Sequence, residues 1–128
     1  MSLRTIVADD DPEILDLITL DLESRGMEVL RADNGVGLID LVANQGPFDL
    51  IVTDISMPWM SGLQVAMSAR NAGVSTPVIV MTGLRDDDAL VRQVSNLGAN
   101  TVLLRKPFEL SELHGAMDLL LPPVPPPP

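Results

Sequence analysis

The chain has 128 residues with 46% hydrophobic content, which is enough for one domain with its own core. Its 18 acidic and 8 basic residues give a formal net charge of -10, which opposes direct binding to nucleic-acid phosphates or to anionic membranes. Because the chain has no cysteine and only one histidine, His114, disulfides, thiolate zinc sites and multi-histidine metal clusters are excluded, and a metal ion would need oxygen ligands.

Short apolar runs alternate with longer segments of helical periodicity along the chain. This alternation predicts a parallel sheet that is covered by helices on both faces. The five predicted strands are residues 5–8, 28–32, 49–53, 78–81 and 101–104. The first and third are nearly continuous apolar runs, which is typical of strands buried on both faces.

Five helices are predicted to follow the strands. The first begins at Asp11 and Pro12 and ends before Gly26, because proline is favoured in the first turn of a helix and glycine just after its end. The others are predicted at about residues 37–44, 62–72, 87–97 and 111–121. We expect one domain at residues 1–121, and a linker stub or tail at residues 122–128, where "PPVPPPP" favours an extended polyproline conformation.

Polar and charged residues follow four of the predicted strands at their carboxyl ends. In an open parallel sheet, ligands bind in the crevice outside these ends. If the first and third strands are neighbours, three carboxylates meet there. The residues in these positions are Asp9, Asp10, Asp54, Thr82, Arg105 and Lys106.

Converging carboxylates repel one another unless cations compensate their charge. Asp9, Asp10 and Asp54 carry three negative charges, and one Mg2+ ion together with Lys106, the only lysine of the chain, carries three positive charges. Magnesium prefers oxygen ligands and is usually held by one or two carboxylates, water and phosphate. The sequence therefore predicts a magnesium site that Lys106 completes.

A solvated charge run or a helix cap is the plain alternative for any acidic triplet. The triplet at residues 86–88 lies at the start of the fourth predicted helix and has the capping position. In the first triplet only Asp11 has that position, which leaves Asp9 and Asp10 without a capping role. Single residues also have ordinary structural alternatives. Thr82 could be a strand-end hydroxyl, Lys106 a surface cation and Asp54 a turn carboxylate.

The chain resembles the receiver domain of bacterial two-component response regulators from Arg4 to about Leu121. Four motifs carry the resemblance in the family's order and approximate spacing: "DD" at Asp9, "DLIVTDISMPWMSG" around Asp54, "MTG" at residues 81–83 and "KPF" at residues 106–108. The resemblance implies a doubly wound (βα)5 flavodoxin-like α/β fold, with a five-stranded parallel sheet of order 2-1-3-4-5.

The resemblance also implies the chemistry of the site. Asp54 is the expected phosphoacceptor, with Lys106 and Thr82 contacting the phosphoryl oxygens. Pro107 suggests the family's cis Lys-Pro bond.

The expected cofactor is Mg2+, bound by Asp10, Asp54 and the backbone carbonyl of Ser56. Asp9 is expected to act mainly through water.

The expected function is phosphorelay signalling and not enzymatic turnover. The resemblance implies that a sensor histidine kinase or a histidine phosphotransfer protein supplies the phosphoryl group, and that an output domain or a partner protein receives the signal. No apolar run approaches the ~20 residues of a membrane span, so a cytoplasmic protein without membrane or direct nucleic-acid contacts is expected. Trp59 is expected on an exposed loop, as a packing lid or as a partner contact, and His114 is assigned no role.

Two other functions compete with this interpretation. An unphosphorylated receiver-like interaction module is the alternative, although every chemical position is intact. A dehalogenase-like phosphatase also uses an aspartate nucleophile with magnesium, but such enzymes have an Asp-x-Asp motif. Here Asp54 is followed by Ile55 and Ser56, which supply no second carboxylate.

The chain departs from the family at the position three residues before the lysine, where members commonly carry Tyr or Phe. That residue is Leu103, and there is one more residue between Gly98 and Lys106 than in the commonest family spacing. The extra residue is absorbed either in the preceding loop or as a bulge, which leaves Val102 or Leu103 as the equivalent of the switch residue.

We therefore predict a weaker or different conformational response to phosphorylation than in members with an aromatic residue at this position. The measurement is a comparison of backbone chemical shifts with and without a phosphate mimic such as beryllofluoride. Large shifts confined to the fourth predicted helix, the fifth strand and the fifth helix would contradict the prediction.

Overall fold

The computed structural model describes residues 3–55, 75–83, 92 and 100–121. Within these parts of the chain there are five strands and three helices. The strands are β1 (Arg4–Ala8), β2 (Glu28–Ala32), β3 (Leu50–Asp54), β4 (Val78–Thr82) and β5 (Thr101–Arg105). The helices are α1 (Pro12–Ser24), α2 (Gly35–Asn44) and α3 (Leu110–Leu120).

The five strands form one parallel sheet of order β2-β1-β3-β4-β5. The predicted fold class and strand order are therefore confirmed. Since β1 lies between β2 and β3, the first crossover runs towards one edge of the sheet and the later ones run towards the other. This reversal opens the crevice at the carboxyl ends of β1 and β3, where α/β sheets bind their ligands.

Three strands end one residue later than predicted. Asp54, Thr82 and Arg105 are the last residues of β3, β4 and β5, because Asp54 pairs with Met81 and Thr82 pairs with Arg105. Backbone pairing thus continues through the residues that were expected just beyond the strands. Helix α2 begins at Gly35, two residues earlier than predicted, after Asn34, whose side chain accepts a hydrogen bond from the Gly37 N–H at 2.8 Å.

Several predicted features lie outside the described residues. They are the third predicted helix, the fourth except for Arg92, the second aspartate triplet, Ser56, Trp59 and the proline-rich segment at residues 122–128.

Two apolar clusters form the core, one on each face of the sheet. Helices α1 and α3 cover one face, where Val7, Val52 and Ile79 pack against helix residues such as Leu22 and Leu113. Helix α2 contributes Leu38 to the other face, which carries the intervening strand residues Ile6, Ala8, Ile51, Val78 and Val80. The alternation arises because successive side chains of a strand point to opposite faces. Both faces being buried explains why β3 and β4 read as continuous apolar runs.

The ends of α1 have the predicted capping residues. The Asp11 side chain accepts a hydrogen bond from the Glu13 N–H at 3.0 Å, and Pro12 is the first helical residue. Beyond the helix, Gly26 has a φ of 85°, a conformation that residues with a Cβ atom rarely adopt. The hydrogen bond of Asp11 fixes the turn between β1 and α1, directly after Asp9 and Asp10.

A polar network joins α1 to α3 through His114. Arg25 donates a hydrogen bond to His114 Nδ1 at 2.8 Å, and His114 Nε2 lies 2.8 Å from Asp21 Oδ2. Because Nδ1 accepts from the guanidinium, the proton of the neutral ring is on Nε2 and is donated to Asp21. His114 thus has a structural role between two helices. None of the helices in the described part of the chain is long and apolar enough to cross a membrane.

The packing of α1 predicts a large difference between two leucines of the same helix. Leu22 is fully buried, whereas Leu20 is 68% exposed. Leu22→Ala should lower the free energy of unfolding by about 2–5 kcal/mol, because it leaves a cavity, and Leu20→Ala should change it by less than about 0.5 kcal/mol. Urea unfolding of the two variants measures this, and equal losses of stability would contradict the described orientation of α1.

Candidate functional site

Three carboxylates meet where β1 and β3 end side by side. Ala8 pairs with Thr53, so that Asp9, the residue after β1, lies beside Asp54, the last residue of β3. Asp9, Asp10 and Asp54 each place one carboxylate oxygen within 4.8 Å of the others. Asp9 is 0% exposed and Asp54 is 8% exposed, whereas Asp10 is exposed. The site is thus a buried carboxylate pair with a third carboxylate facing solvent.

Lys106 links the two buried carboxylates. Its Nζ lies 2.7 Å from Asp9 Oδ2 and 3.0 Å from Asp54 Oδ2. The lysine follows β5 directly, and its backbone N–H donates to the carbonyl of Thr82 at 2.6 Å. The Lys106–Pro107 peptide bond is cis, as the resemblance suggested. The structure therefore brings together the charged residues that the sequence placed at separate strand ends.

The two carboxylates keep Lys106 charged despite its partial burial. Burial of the ammonium is the largest single influence and acts to lower its pKa. The hydrogen bonds to Asp9 and Asp54, together with their negative charges, act in the opposite direction and prevail, so that the pKa of Lys106 is raised above 10.5. Lys106 is therefore a charged ammonium at neutral pH.

The carboxylates of Asp9 and Asp10 differ in the number of hydrogen bonds that they accept from the rest of the protein. Asp9 Oδ1 accepts the Asp11 N–H at 2.9 Å, while Asp9 Oδ2 accepts from Lys106. The backbone N–H of Asp9 donates to the Ala32 carbonyl at 3.1 Å, which fixes the residue beside β2. Within the described residues the Asp10 side chain has no hydrogen bond or ion pair. Asp10 is thus the carboxylate most available to an incoming ligand, and Asp9 is a fixed part of the framework.

Thr82 is buried with an unsatisfied hydroxyl. It is 1% exposed, and its Oγ1 has no hydrogen-bond partner in the part of the chain that the structure describes. An unpaired buried hydroxyl costs free energy, so native proteins rarely keep one without a reason. Thr82 ends β4, the strand between those of Asp54 and Lys106. Its position is suited to an acceptor oxygen arriving at the site.

One site residue was missed in the sequence. The Thr53 hydroxyl is buried and donates to the backbone carbonyl of Asp54 at 3.0 Å, while the Ile55 N–H donates to the Met81 carbonyl at 2.8 Å. These bonds fix the backbone on both sides of the Asp54 side chain. The only signal in the sequence was a polar residue within the apolar run "LIVTD".

The pairing of β4 with β5 identifies which residue occupies the switch position. The register runs without interruption from Val78 opposite Thr101 to Thr82 opposite Arg105. A bulge within β5 is therefore excluded, and the extra residue is accommodated before Thr101. Leu103 pairs with Val80, and both pack in the apolar cluster on the sheet face that α2 covers. Thr82 lies on the same face, whereas Val102 packs on the opposite face. Of the two alternatives, Leu103 is the equivalent residue.

The raised pKa of Lys106 predicts a specific pH dependence of stability. A lysine with a raised pKa in the folded state stabilises the fold fully below its ordinary value of 10.5, and this contribution is lost as the pH rises through the folded-state value. We expect the difference in unfolding free energy between the wild type and Lys106→Met to shrink above pH 10.5.

The chain makes this measurement unusually clean. It has no tyrosine and no cysteine, and Lys106 is its only lysine, so that no other side chain titrates in the same alkaline range. Denaturant unfolding from pH 8 to 11.5 provides the test. A difference that stays constant over this range would show that the ammonium does not stabilise the folded state.

The chain is similar in sequence to known response regulators. Residues 5–118 match the family described as the response regulator receiver domain. Response regulator MprA of Mycobacterium sp. (strain KMS) is 36% identical over 122 residues, which cover 94% of this chain and 51% of that protein. The chain thus spans about half the length of the curated relatives that it matches.

Solved receiver structures have the same architecture. The response regulator receiver domain protein from Clostridium thermocellum is 30% identical, with 91% of each chain covered and a TM-score of 0.77. Chemotaxis protein CheY4 of Vibrio cholerae is 24% identical, covers 94% of this chain and 100% of that chain with a TM-score of 0.81, and supports the fold alone. With its sequence match over residues 5–118 and its parallel sheet of order 2-1-3-4-5, this chain belongs to the response regulator receiver domain family, whose members are signalling domains of two-component systems.

Proposed function

We propose that this receiver domain accepts a phosphoryl group on Asp54 from a phosphohistidine, in a reaction that depends on Mg2+. The observation that carries the proposal is the position of Lys106 Nζ between Asp9 and Asp54, beside the exposed carboxylate of Asp10. A structural ion pair would need one carboxylate for one ammonium. Here one ammonium is shared by two carboxylates and a third, Asp10, lies beside them, which leaves negative charge for a divalent cation to neutralise.

The residues present fit magnesium. The donor set consists of carboxylate oxygens, which are the ligands that this ion prefers, and one oxygen of each residue lies within 4.8 Å of the others. Asp10 and Asp54 would hold the ion, together with the Ser56 carbonyl by analogy with the family. Asp9 would act through water, because both of its oxygens already accept hydrogen bonds. When bound, the ion would neutralise charge on the phosphoryl oxygens.

The phosphoryl transfer itself needs few groups from the protein. A carboxylate oxygen of Asp54 attacks the phosphorus atom, and the P–N bond to the donor imidazole breaks. The donor ring, already protonated on its other nitrogen, leaves as neutral imidazole, and Asp54 becomes an acyl phosphate. Asp54 is suited to attack because its carboxylate is held by Lys106 and its backbone is fixed at the end of β3. Positioning and charge neutralisation are the main contributions that such reactions require.

Lys106 and Thr82 have complementary roles in this proposal. The ammonium of Lys106 would move part of its interaction from the carboxylates to the phosphoryl oxygens, as a compact charge with three N–H donors. The Thr82 hydroxyl, unpaired among the described residues, would donate to another of these oxygens. In both cases a phosphoryl oxygen would accept a hydrogen bond from the protein side chain.

The proposed partners follow from the reaction. The donor would be a sensor histidine kinase or a histidine phosphotransfer protein in the cytoplasm, and the signal would pass to an output domain or to a partner protein. We propose residues 1–121 as the receiver domain and residues 122–128 as a linker stub or tail. An unphosphorylated interaction module remains as one outcome of the experiment below.

Incubation with acetyl phosphate and Mg2+ should add one phosphoryl group, detected by intact-protein mass spectrometry as a hydroxylamine-labile adduct. Removing Mg2+ with EDTA should lower the yield at least tenfold, since the remaining negative charge repels the donor. Asp54→Asn should take up none, because an amide is not a nucleophile here.

Asp118→Asn is the matched control, since it removes one carboxylate from an exposed position on α3. It should be phosphorylated like the wild type. An adduct that persists in Asp54→Asn would move the acceptor to another residue. No adduct on the wild type would favour the interaction module, and continued release of phosphate from many esters would indicate a phosphatase.

A further inference from the structure

Arg105 is an exposed cation at the rim of the site. It is the last residue of β5, directly before Lys106, and it pairs with Thr82 across the β4–β5 ladder. Because side chains alternate along a strand, Arg105 lies on the same sheet face as Leu103 and Thr82, and not on the face covered by α3. It is thus beside the unpaired Thr82 hydroxyl at the carboxyl end of the sheet.

Arg105 differs from most basic side chains of the described residues because it has no acidic partner. Four of the six basic side chains in the described part of the chain have a carboxylate within ion-pair distance: Arg4, Arg25, Arg31 and Lys106. The other two are Arg92, on a helix, and Arg105. Arg105 has no ion pair or side-chain hydrogen bond among the described residues. In a chain with a net charge of -10, a basic side chain has many possible acidic partners. An arginine that has none at this position is available to an anion from outside.

Arg105 lies close enough to Asp54, the proposed acceptor, for its charge to act on an anion at the site. Strand β5 is two strands away from β3, and Arg105 is one residue beyond the level of Asp54 in the register. Neighbouring strands are about 4.8 Å apart, so the two Cα atoms are separated by roughly 10 Å. The next residue, Lys106, places its Nζ 3.0 Å from Asp54 Oδ2.

We propose that Arg105 recognises the phosphoryl donor by its negative charge and draws it to the site. The proposal rests on phosphorylation of Asp54 as the function. The site presents three carboxylates to a donor that is itself an anion, and the whole chain adds further repulsion. Lys106 is already engaged by two of these carboxylates, whereas Arg105, the residue beside it in the chain, has no ion-pair partner among the described residues. Such a charge acts mainly on the encounter rate.

Measuring the second-order rate constant for phosphorylation by acetyl phosphate tests the proposal. A unit charge about 8 Å from a dianion in water corresponds to about a fivefold rate change, which falls to about twofold at 0.15 M salt. Arg105→Gln should therefore be about fivefold slower at low ionic strength, and Arg105→Lys should retain most of the rate. With phosphoramidate, a less negatively charged donor, the loss should be smaller.

Arg25→Gln is the matched control. It removes the same charge from the C-terminal end of α1, just before β2 begins at Glu28 and thus at the amino end of the sheet, and should leave the rate within about twofold of the wild type. Thermal unfolding of each variant verifies that it is folded.

The affinity for Mg2+ alone, measured by calorimetry, separates an electrostatic role from a disturbed site. Arg105 repels a cation, so that Arg105→Gln should bind Mg2+ about two- to fivefold more tightly while reacting more slowly with the anionic donor. A substitution that disturbed the structure of the site would instead weaken Mg2+ binding and also slow the reaction with the donor. The autodephosphorylation rate should stay the same, because the attacking water is neutral.

Equal rates for Arg105→Gln and Arg25→Gln at low salt would overturn the proposal, as would a loss that does not decrease with added salt. A wild type that takes up no phosphoryl group would instead overturn the proposed function, and the inference with it. The two failures are distinguishable, because the second affects every variant alike.

Discussion

The site depends on one ammonium that is shared by two buried carboxylates. Lys106 contacts Asp9 and Asp54 at 2.7 and 3.0 Å, and Asp9 has no exposed surface. Removal of one partner from a buried ion pair typically costs several kcal/mol, because the remaining charge is uncompensated. Yet one ammonium does not balance two carboxylates, and Asp10 adds a third. The arrangement is therefore poor as a device for stability alone, and its excess negative charge is reasonable only if a cation joins it.

The parallel sheet is what makes this arrangement possible. Neighbouring β1 and β3 bring Asp9 and Asp54 into contact although 45 positions separate them in the sequence. Lysine comes from β5, on the far side of β4, so its side chain must cross the end of that strand to reach the carboxylates. Thr82 ends β4 at this crossing point. A long, flexible cationic side chain is suited to that span, and a short one would leave the buried carboxylates without a partner.

Local patterns in the sequence were sufficient for the strands, the caps of α1 and the identity of the charged site residues. The strand order came from the family resemblance, because periodicity does not specify which strands are neighbours. The ends of β3, β4 and β5 were predicted one residue too early, because polar residues such as Asp54 and Thr82 are typical of loops. The backbone hydrogen bonds between strands do not depend on whether the side chain is polar, so the pairing includes these residues. The bond between His114 and Asp21 was not predictable, because 93 residues separate them and only the packing of α1 beside α3 brings them together. The role of Thr53 was missed for the same reason, since a buried hydroxyl shows its partner only in three dimensions.

The continuous register of β5 also limits how the site can communicate with the protein surface. Leu103 is half-buried against Val80, on the face that Thr82 shares. An aromatic side chain with a hydroxyl can exchange a polar contact with solvent for one with the protein when it turns. Leucine has no such contact, and turning outward would only expose apolar surface, which opposes the movement by about 25 cal/mol per Å2. Movement of Thr82 towards a phosphoryl oxygen can therefore act on this face only by changing how aliphatic side chains pack. If Asp54 is phosphorylated as we propose, the charge at the carboxyl end of the sheet, where Lys106 and Arg105 lie, would change far more than the β5 face, and a partner protein would detect the difference at that edge.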